Sequence, residues 1–257
     1  MRVAALYDIH ANLPALEAVL DDVGAAQVDL IVVGGDVFPG PMPRETLARL
    51  QGLNVPARFI CGNGELAVLA QIDAADPSAV TYWGTTSGAP LPEPQREALR
   101  WTAKEIRHDY ASLLRAWPRT LQVRIDGVGD VLFCHATPRS ETESFTRLTP
   151  EAALRPVFDG VNASLVVCGH THMPFDRMVG RVRVVNAGSV GMPFGRPGAD
   201  WALLGPVVQL RHTSYDLSQA AERVRGAAYP QAASAAAAIL SPPSEASMLD
   251  VFTNASF

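Results

Sequence analysis

The sequence has few of the features that mark secreted, membrane-spanning or duplex-binding proteins. Its three cysteines, in a chain of 257 residues, are too few and too widely spaced for a disulfide framework. The N-terminal segment lacks the apolar stretch of a signal peptide, and no long apolar run predicts a membrane span. We therefore expect a protein of the reducing cytoplasm that does not bind membranes.

Positive charge is also scarce. Lys and Arg total 21 against 26 Asp and Glu, which gives a net charge of −5 and an isoelectric point near 5.7. This charge balance argues against the basic surface of a protein that binds nucleic-acid duplexes in general. Small phosphoester or nucleotide substrates held by metal ions fit it better. With 48% hydrophobic residues, the chain can bury a large core.

The first quarter of the chain alternates short apolar runs with helical patterns. Residues 2–7, the run DLIVVGGD and the run PARFICGN predict buried strands, each ending in polar or glycine residues. Asn12 is predicted to cap the helix that follows the first strand. Strands that alternate with helices predict an α/β fold with parallel strands, whose ligands gather outside the carboxyl ends of the strands.

Residues 64–117 interrupt this alternation. A segment rich in Pro and Gly precedes a long helical pattern, PEPQREALRWTAKEIRHDYASLLRAW, and we expect an inserted helical cap over one edge of the sheet. The later chain predicts three hairpins, with turns at Gly127–Gly129, Gly180 and Gly205-Pro206. LSQAAERVRGAAY is predicted as the terminal helix. We expect one domain over residues 1–240 and a weakly structured tail over 241–257.

Polar side chains stand at the ends of five predicted strands. They are Asp8, His10, Asp36, Asn63, His135, His170 and His172. Two carboxylates, one amide oxygen and four imidazoles suit two neighbouring metal sites that share a carboxylate. In Asp8-x-His10 and His170-x-His172, alternate residues of an extended segment would point to the same side. Each residue alone favours a cap, a turn or a hydrogen-bonded core residue, but five strand ends together favour metal binding.

Six stretches resemble the calcineurin-like metallophosphoesterases, and among them the small bacterial and archaeal phosphodiesterase branch. They are DIHAN (8–12), GGDVFPGP (34–41), GNGE (62–65), CHATP (134–138), CGHTHMP (168–174) and NAGSVGMP (186–193). They follow the order of the family and spread over about two thirds of the chain. The resemblance implies a four-layer αββα sandwich, in which two mixed sheets are flanked by helices and a dinuclear centre lies at one end.

The resemblance also implies two ligand sets. One metal ion would be held by Asp8, His10, Asp36 and His172, and the other by Asp36, Asn63, His135 and His170. Asp36 would bridge the two ions together with a hydroxide that attacks phosphorus, so Asp36 and His135 are the expected catalytic residues. The ligands suit Mn²⁺, our first choice, and also Fe²⁺, Zn²⁺, Co²⁺ or Ni²⁺.

Gly64 departs from the family pattern, because many members carry a histidine there that is held to assist the leaving group. A positioned acid contributes roughly 10²–10⁴-fold in rate, so we expect substrates with good leaving groups, phosphodiesters or nucleotides rather than monoesters. His108 and His212 are candidate substitutes for the acid, although a surface or packing role is favoured for both.

Two arginines and one alternative function complete the expectations. Arg139 and Arg196 lie near the motifs and are weak candidates for contacting phosphate, with exposed loop positions as the favoured alternative. Gly64 leaves open a second interpretation, a metal-binding scaffold or regulatory protein of the same fold with little or no turnover. Activity towards an activated diester would separate the two interpretations.

Overall fold

The computed structural model describes residues 1–76, 80–85 and 87–253, with only the backbone described at position 108. Its first sheet has the strand order β10-β9-β1-β2-β3. The strands are Val3–Leu6 (β1), Leu30–Val33 (β2), Ala57–Phe59 (β3), Ala199–Leu204 (β9) and Val208–Thr213 (β10). Strands β1 to β3 are parallel, whereas β9 and β10 are antiparallel to their neighbours.

The second sheet has the order β4-β5-β6-β8-β7. The strands are Thr120–Ile125 (β4), Gly129–Cys134 (β5), Leu165–Cys168 (β6), Phe175–Val179 (β7) and Val182–Asn186 (β8). Strands β5, β6 and β8 are parallel, and β4 and β7 form the antiparallel edges. The three predicted hairpins are therefore confirmed as β4–β5, β7–β8 and β9–β10.

Helices cover the outer faces of both sheets. They are Leu13–Ala25 (α1), Pro43–Gln51 (α2), Asn63–Asp73 (α3), Glu93–Arg115 (α4), Glu151–Phe158 (α5), Leu217–Arg225 (α6), Ala232–Leu240 (α7) and Glu245–Thr253 (α8). The predicted cap of α1 is confirmed, since the Asn12 side chain accepts a hydrogen bond from the Ala15 N–H at 3.2 Å.

Alternation along β1 separates two hydrophobic layers. Val3 and Ala5 pack between the sheets, together with side chains from the second sheet such as Phe133. Ala4 and Leu6 point the other way and pack against the first-sheet helices. A third cluster fills the space between the second sheet and α5. The predicted four-layer αββα sandwich of two mixed sheets is confirmed.

The segment predicted as a helical cap contains α3 and α4, which pack against each other. Trp117 follows α4 and stacks on Phe59 of edge strand β3, with ring centroids 4.9 Å apart. This contact places the helix pair beside the edge of the first sheet. Pro77, part of the Pro- and Gly-rich segment, lies outside the described residues.

The structure differs from the weakly structured tail expected over residues 241–257. Two further helices follow the one predicted as terminal, and Leu249 of α8 is buried against Met173 and Phe194. Helix α7 packs on α6 through small and aliphatic side chains. Short helices depend on such packing more than on their own propensity, so the local pattern does not predict them. Residues 254–257 lie outside the described chain.

Candidate metal centre

The loops that follow the strands bring predicted ligands together at one end of the two sheets. Ligand atoms of Asp8, His10 and His172 all lie within 4.8 Å of one another, and so do those of Asp8, Asp36 and His135. Asp8 belongs to both groups and is completely buried. Side chains from loops far apart in the chain therefore form one compact cluster.

The Asp36 carboxylate lies between two of the imidazoles. Its Oδ2 atom is 3.9 Å from His10 Nε2, and its Oδ1 atom is 3.4 Å from His135 Nε2. Each carboxylate oxygen therefore faces a different histidine. In this position the carboxylate could be shared between two metal ions.

Asn63 and His170 adjoin the same cluster. Asn63 Oδ1 is 2.8 Å from His135 Nε2. The ring of His170 lies edge-on to that of His135, with centroids 5.2 Å apart, and its backbone N–H donates to Asp8 Oδ2 at 2.8 Å. All seven predicted ligand residues thus adjoin one another, but His170 Nε2 lies 3.1 Å from Ser144 Oγ and belongs to neither group of close ligand atoms.

The backbone at this cluster is left-handed, not extended as we predicted from the two Asp-x-His and His-x-His patterns. Five cluster residues have positive φ: Asp8 (53°), His10 (47°), Asp36 (51°), His170 (67°) and His172 (57°). Residues other than glycine adopt this region rarely, and they keep it where surrounding contacts impose it. Here the His10 N–H donates to the Asp36 carbonyl at 2.9 Å, which links the first two loops.

Three histidines direct the same ring atom at the centre. His10, His135 and His172 place Nδ1 against the backbone carbonyls of Pro39, Gly34 and Met192, at 3.3, 2.9 and 2.7 Å. A carbonyl accepts only, so Nδ1 carries the proton and Nε2 keeps its lone pair in the neutral ring. Backbone contacts of this kind orient metal-binding histidines in proteins.

With all three rings neutral, several acceptor atoms would face one another, although, against the effect of burial, the neighbouring Asp8 carboxylate raises the pKa of His172. His10 Nε2 and His172 Nε2 are 3.2 Å apart. The Asn63 amide donates to the Gly84 carbonyl at 3.1 Å, which turns its Oδ1 lone pairs towards His135 Nε2. Asp8 Oδ1 is buried and has no hydrogen-bond partner among the described residues. This donor set fits divalent cations, which accept lone pairs from imidazole, amide and carboxylate ligands.

The electrostatics of the cluster point the same way. Burial opposes ionisation of Asp8, but the surrounding imidazoles, His172 first, hold its pKa well below the usual value. Burial, followed by the Asp8 charge, raises the pKa of Asp36 well above the usual value. Burial lowers the pKa of His10 and of His170 to about 3, which leaves both rings neutral. A cation between the two carboxylates would compensate their buried charge.

Glu65 supports the cluster and was given no role in the sequence analysis. Its buried carboxylate accepts backbone N–H groups from Asp36 (2.8 Å), Phe38 (3.1 Å) and Gly62 (2.8 Å). Burial, followed by the Asp36 charge, raises the pKa of Glu65 to about 7. Glu65 therefore ties the Asp36 loop to the start of α3, which also carries Asn63. The signal in the sequence was an acid three residues after Gly62, a capping-box position.

The structure shows why residue 64 is a glycine. A Cβ atom added at Gly64 would overlap the carbonyl oxygen of Phe38. Its N–H donates to Asp36 Oδ1 at 2.6 Å, so this part of the backbone must approach closely. The backbone in this structure leaves no room at position 64 for the histidine of many family members.

The structure does not bring the weaker candidates into the cluster. Arg139 pairs with Glu143 at 2.7 Å, and Arg196 pairs with Asp200 at 3.2 Å. His212 Nδ1 is 2.8 Å from an Asp200 carboxylate oxygen, and His212 is in neither group of close ligand atoms. The side chain of His108 lies outside the described residues.

Comparison with known proteins finds a family match over most of the chain. The calcineurin-like phosphoesterase superfamily domain matches residues 1–205. The chain is 26% identical over 243 residues to the uncharacterized protein MJ0912 of Methanocaldococcus jannaschii, a match that spans 86% of this chain and 91% of that protein.

Two solved structures share the fold over nearly the whole chain. The hypothetical protein PH1004 of Pyrococcus horikoshii superposes with a TM-score of 0.77 at 21% identity, covering 93% of this chain and 97% of that one. A metallophosphoesterase of Sphaerobacter thermophilus superposes with a TM-score of 0.70 at 25% identity, covering 94% and 99%. From its motifs, its site and the family match, this chain belongs to the calcineurin-like phosphoesterase superfamily.

Proposed function

We propose that this protein is a dinuclear metal-dependent phosphohydrolase that acts on phosphodiesters in preference to monoesters. The observation that carries the proposal is the Asp36 carboxylate, whose two oxygens face the Nε2 atoms of His10 and His135. One metal ion would be held by Asp8, His10, Asp36 and His172. The other would be held by Asp36, Asn63, His135 and His170.

Hydrogen bonds within the chain orient several of these ligands before a metal ion binds. Backbone carbonyls hold the Nε2 lone pairs of His10, His135 and His172 towards the centre, so little reorganisation is needed on binding. The Gly64 N–H holds Asp36 Oδ1 in place. When bound, two divalent ions lower the pKa of a shared water and neutralise phosphate oxygens during attack. Mn²⁺ is the first choice, and the ligands also suit Fe²⁺, Zn²⁺, Co²⁺ or Ni²⁺.

The preference for diesters with good leaving groups is inferred from the environment of Gly64. With no side chain at this position, the N-terminus of α3 offers no proton donor there for a departing alkoxide. An aryloxide leaves without that assistance, and a positioned acid is otherwise worth roughly 10²–10⁴-fold in rate.

A cytoplasmic location is also part of the proposal, supported by three buried free thiols at Cys61, Cys134 and Cys168. Among the described helices, none is long and apolar enough to span a membrane.

The test is hydrolysis of bis-p-nitrophenyl phosphate by the full chain. Protein stripped with chelator is reloaded separately with Mn²⁺, Zn²⁺, Co²⁺, Ni²⁺ or Mg²⁺, and bound metal is counted by mass spectrometry. We expect two ions per chain and turnover that is highest with Mn²⁺. His212→Ala, outside the cluster, is the matched histidine control and should keep full activity. Two bound ions with no turnover under any condition would instead favour a metal-binding scaffold.

A second assay tests the leaving-group preference. Rates are compared across aryl diesters whose leaving groups span several units of pKa, at one metal and under conditions in which chemistry limits the rate. We expect the rate to fall steeply as the leaving-group pKa rises, since no side chain at position 64 protonates it. A flat dependence would contradict this part of the proposal.

A further inference from the structure

A cavity of about 470 Å³ extends from the candidate metal centre into the body of the protein. His10, Asp36 and Asn63 lie at one end. The other end lies between the helical cap and the C-terminal helices, and its wall includes Trp83, Leu91, Leu99, Tyr215, Tyr229 and Ala238. A substrate whose phosphate binds at the metal centre would therefore place its remaining groups against the wall at this far end.

The wall offers no counter-charge to a second anionic group. Among the described residues that line the cavity, none is Lys or Arg. The residues left undescribed include no Lys or Arg either. Arg96, which is not among the lining residues, lies over the Trp83 ring at 5.7 Å and pairs with Glu93 at 2.6 Å. Burying an unpaired anion in such a wall is costly, so the wall selects against it.

Part of the wall is built by the chain beyond the family match. That match ends at residue 205, whereas Tyr215, Tyr229, Ala238 and Ile239 contribute to the lining from positions further along. Helix α7 presents small alanine side chains to the cavity, which leaves room for a flat or bulky apolar group. The metal end therefore lies within the family match, whereas part of the wall that would contact the rest of the substrate lies outside it.

We propose that the substrate is a phosphodiester with a single phosphate, whose group on the cavity side is uncharged and apolar, an aryl group in the first place. This inference rests on the proposed function of the metal centre. It excludes polyphosphates and diesters that carry a second phosphate or a carboxylate on that side. Trp83, Tyr215 and Tyr229 line the cavity and supply aromatic contacts for an aryl group.

The test compares two substrates that share one leaving group. They are p-nitrophenyl phenyl phosphate and its analogue with a carboxylate at the far end of the phenyl ring, both assayed with the Mn²⁺-loaded full chain. Because p-nitrophenoxide leaves from both, the chemical step is matched and the remaining aryl group differs by one charge. We expect kcat/KM to be at least tenfold higher for the uncharged ester. Equal values, or a preference for the charged ester, would overturn the inference while the phosphodiesterase function stood.

A charge added to the wall sharpens the comparison. Ala238→Lys places an ammonium group in the cavity, and we expect it to reduce the preference for the uncharged ester by about fivefold or more. Ala237→Lys, on the same helix but exposed and away from the cavity, is the matched control and should keep the wild-type ratio. An equal change in both variants, or none in either, would contradict the assignment of the wall. The wild-type comparison stands whether or not Ala238→Lys folds, and loss of all turnover in wild type would overturn the proposed function itself.

Discussion

The two ends of the cavity are built on different physical rules. At the metal end, five of the predicted ligand residues hold positive φ, and backbone carbonyls fix the Nδ1 atoms of three histidines. At the far end, apolar and small side chains form most of the wall, together with the uncharged polar side chains of Gln95, Gln231 and Ser234. Part of this wall lies on helices that pack through hydrophobic contacts. The metal end tolerates little change in geometry, whereas the far wall can change its shape and charge without disturbing the ligands.

This difference predicts the ranking of substitutions. Changes at the metal end should lower kcat or metal binding, since they alter the groups that act on phosphorus. Changes at the far wall should alter KM and substrate preference, since they contact only the remainder of the substrate. A wall variant that abolished kcat, or a ligand variant that altered only KM, would break the distinction.

The largest effect is expected for Asp36→Asn. The substitution keeps the shape of the side chain but removes the charge that faces two histidines, so kcat should fall roughly 10³-fold. Bound metal, measured by mass spectrometry, should fall from two ions towards one, while circular dichroism stays unchanged. Asp176→Asn, on strand β7 with its ion pair to Arg183, is the control and should remain within twofold of wild type. Full activity in Asp36→Asn would contradict the assigned centre.

A smaller effect is expected for Glu65→Ala. Three buried N–H groups lose their acceptor, each at a cost of about 1–3 kcal/mol, so the free energy of unfolding should drop by roughly 3 kcal/mol or more. Metal affinity should fall by about 10–100-fold, because the Asp36 loop is no longer held. Glu65→Gln keeps part of the acceptor set and should lie between wild type and Glu65→Ala. The exposed Glu17→Ala serves as the stability control.

Gly64→Ala tests whether the glycine is required by space. The added methyl group overlaps the Phe38 carbonyl, so the start of α3 must shift and Asp36 with it, at a cost of about 1–3 kcal/mol. We expect a loss of activity of about tenfold, since ångström-scale misplacement of the site costs up to about 10²-fold. Gly24→Ala in α1 meets nothing within 4 Å and should stabilise the protein by about 0.5–1 kcal/mol. Higher activity in Gly64→His than in wild type would contradict the steric argument.

The smallest effect is expected at the far wall. Leu91→Ala removes apolar contact from the cavity and should raise KM for an aryl diester about fivefold, equivalent to about 1 kcal/mol, with kcat nearly unchanged. Leu240→Ala, on the exposed side of α7 at 44% exposure, is the matched control and should leave both constants unchanged. A change in kcat larger than the change in KM would show that the wall also positions the phosphate.

The metal end could be predicted from the sequence because its residues carry chemical types that are rare in a core. Asp8, His10 and Asp36 come directly after apolar strands, and parallel strands bring their carboxyl ends to one edge. The local conformation was predicted incorrectly, because left-handed backbone at Asp8 and His10 depends on hydrogen bonds to another loop. Glu65 had no predicted role for the same reason, since its three donors are fixed only after the loops meet.

The sequence by itself determined the fold class and the residue types gathered at the metal centre, since apolar periodicity and polar strand ends are local properties. The tertiary structure alone decided which side chains form the cavity wall opposite the candidate metal centre. Several alanines, two leucines, two tyrosines and a tryptophan have no chemical signature along the chain, and they form this wall only when the cap and the C-terminal helices pack around one cavity. The requirement for glycine at position 64 also depends on the tertiary structure, because the Phe38 carbonyl that excludes a side chain lies on a different loop.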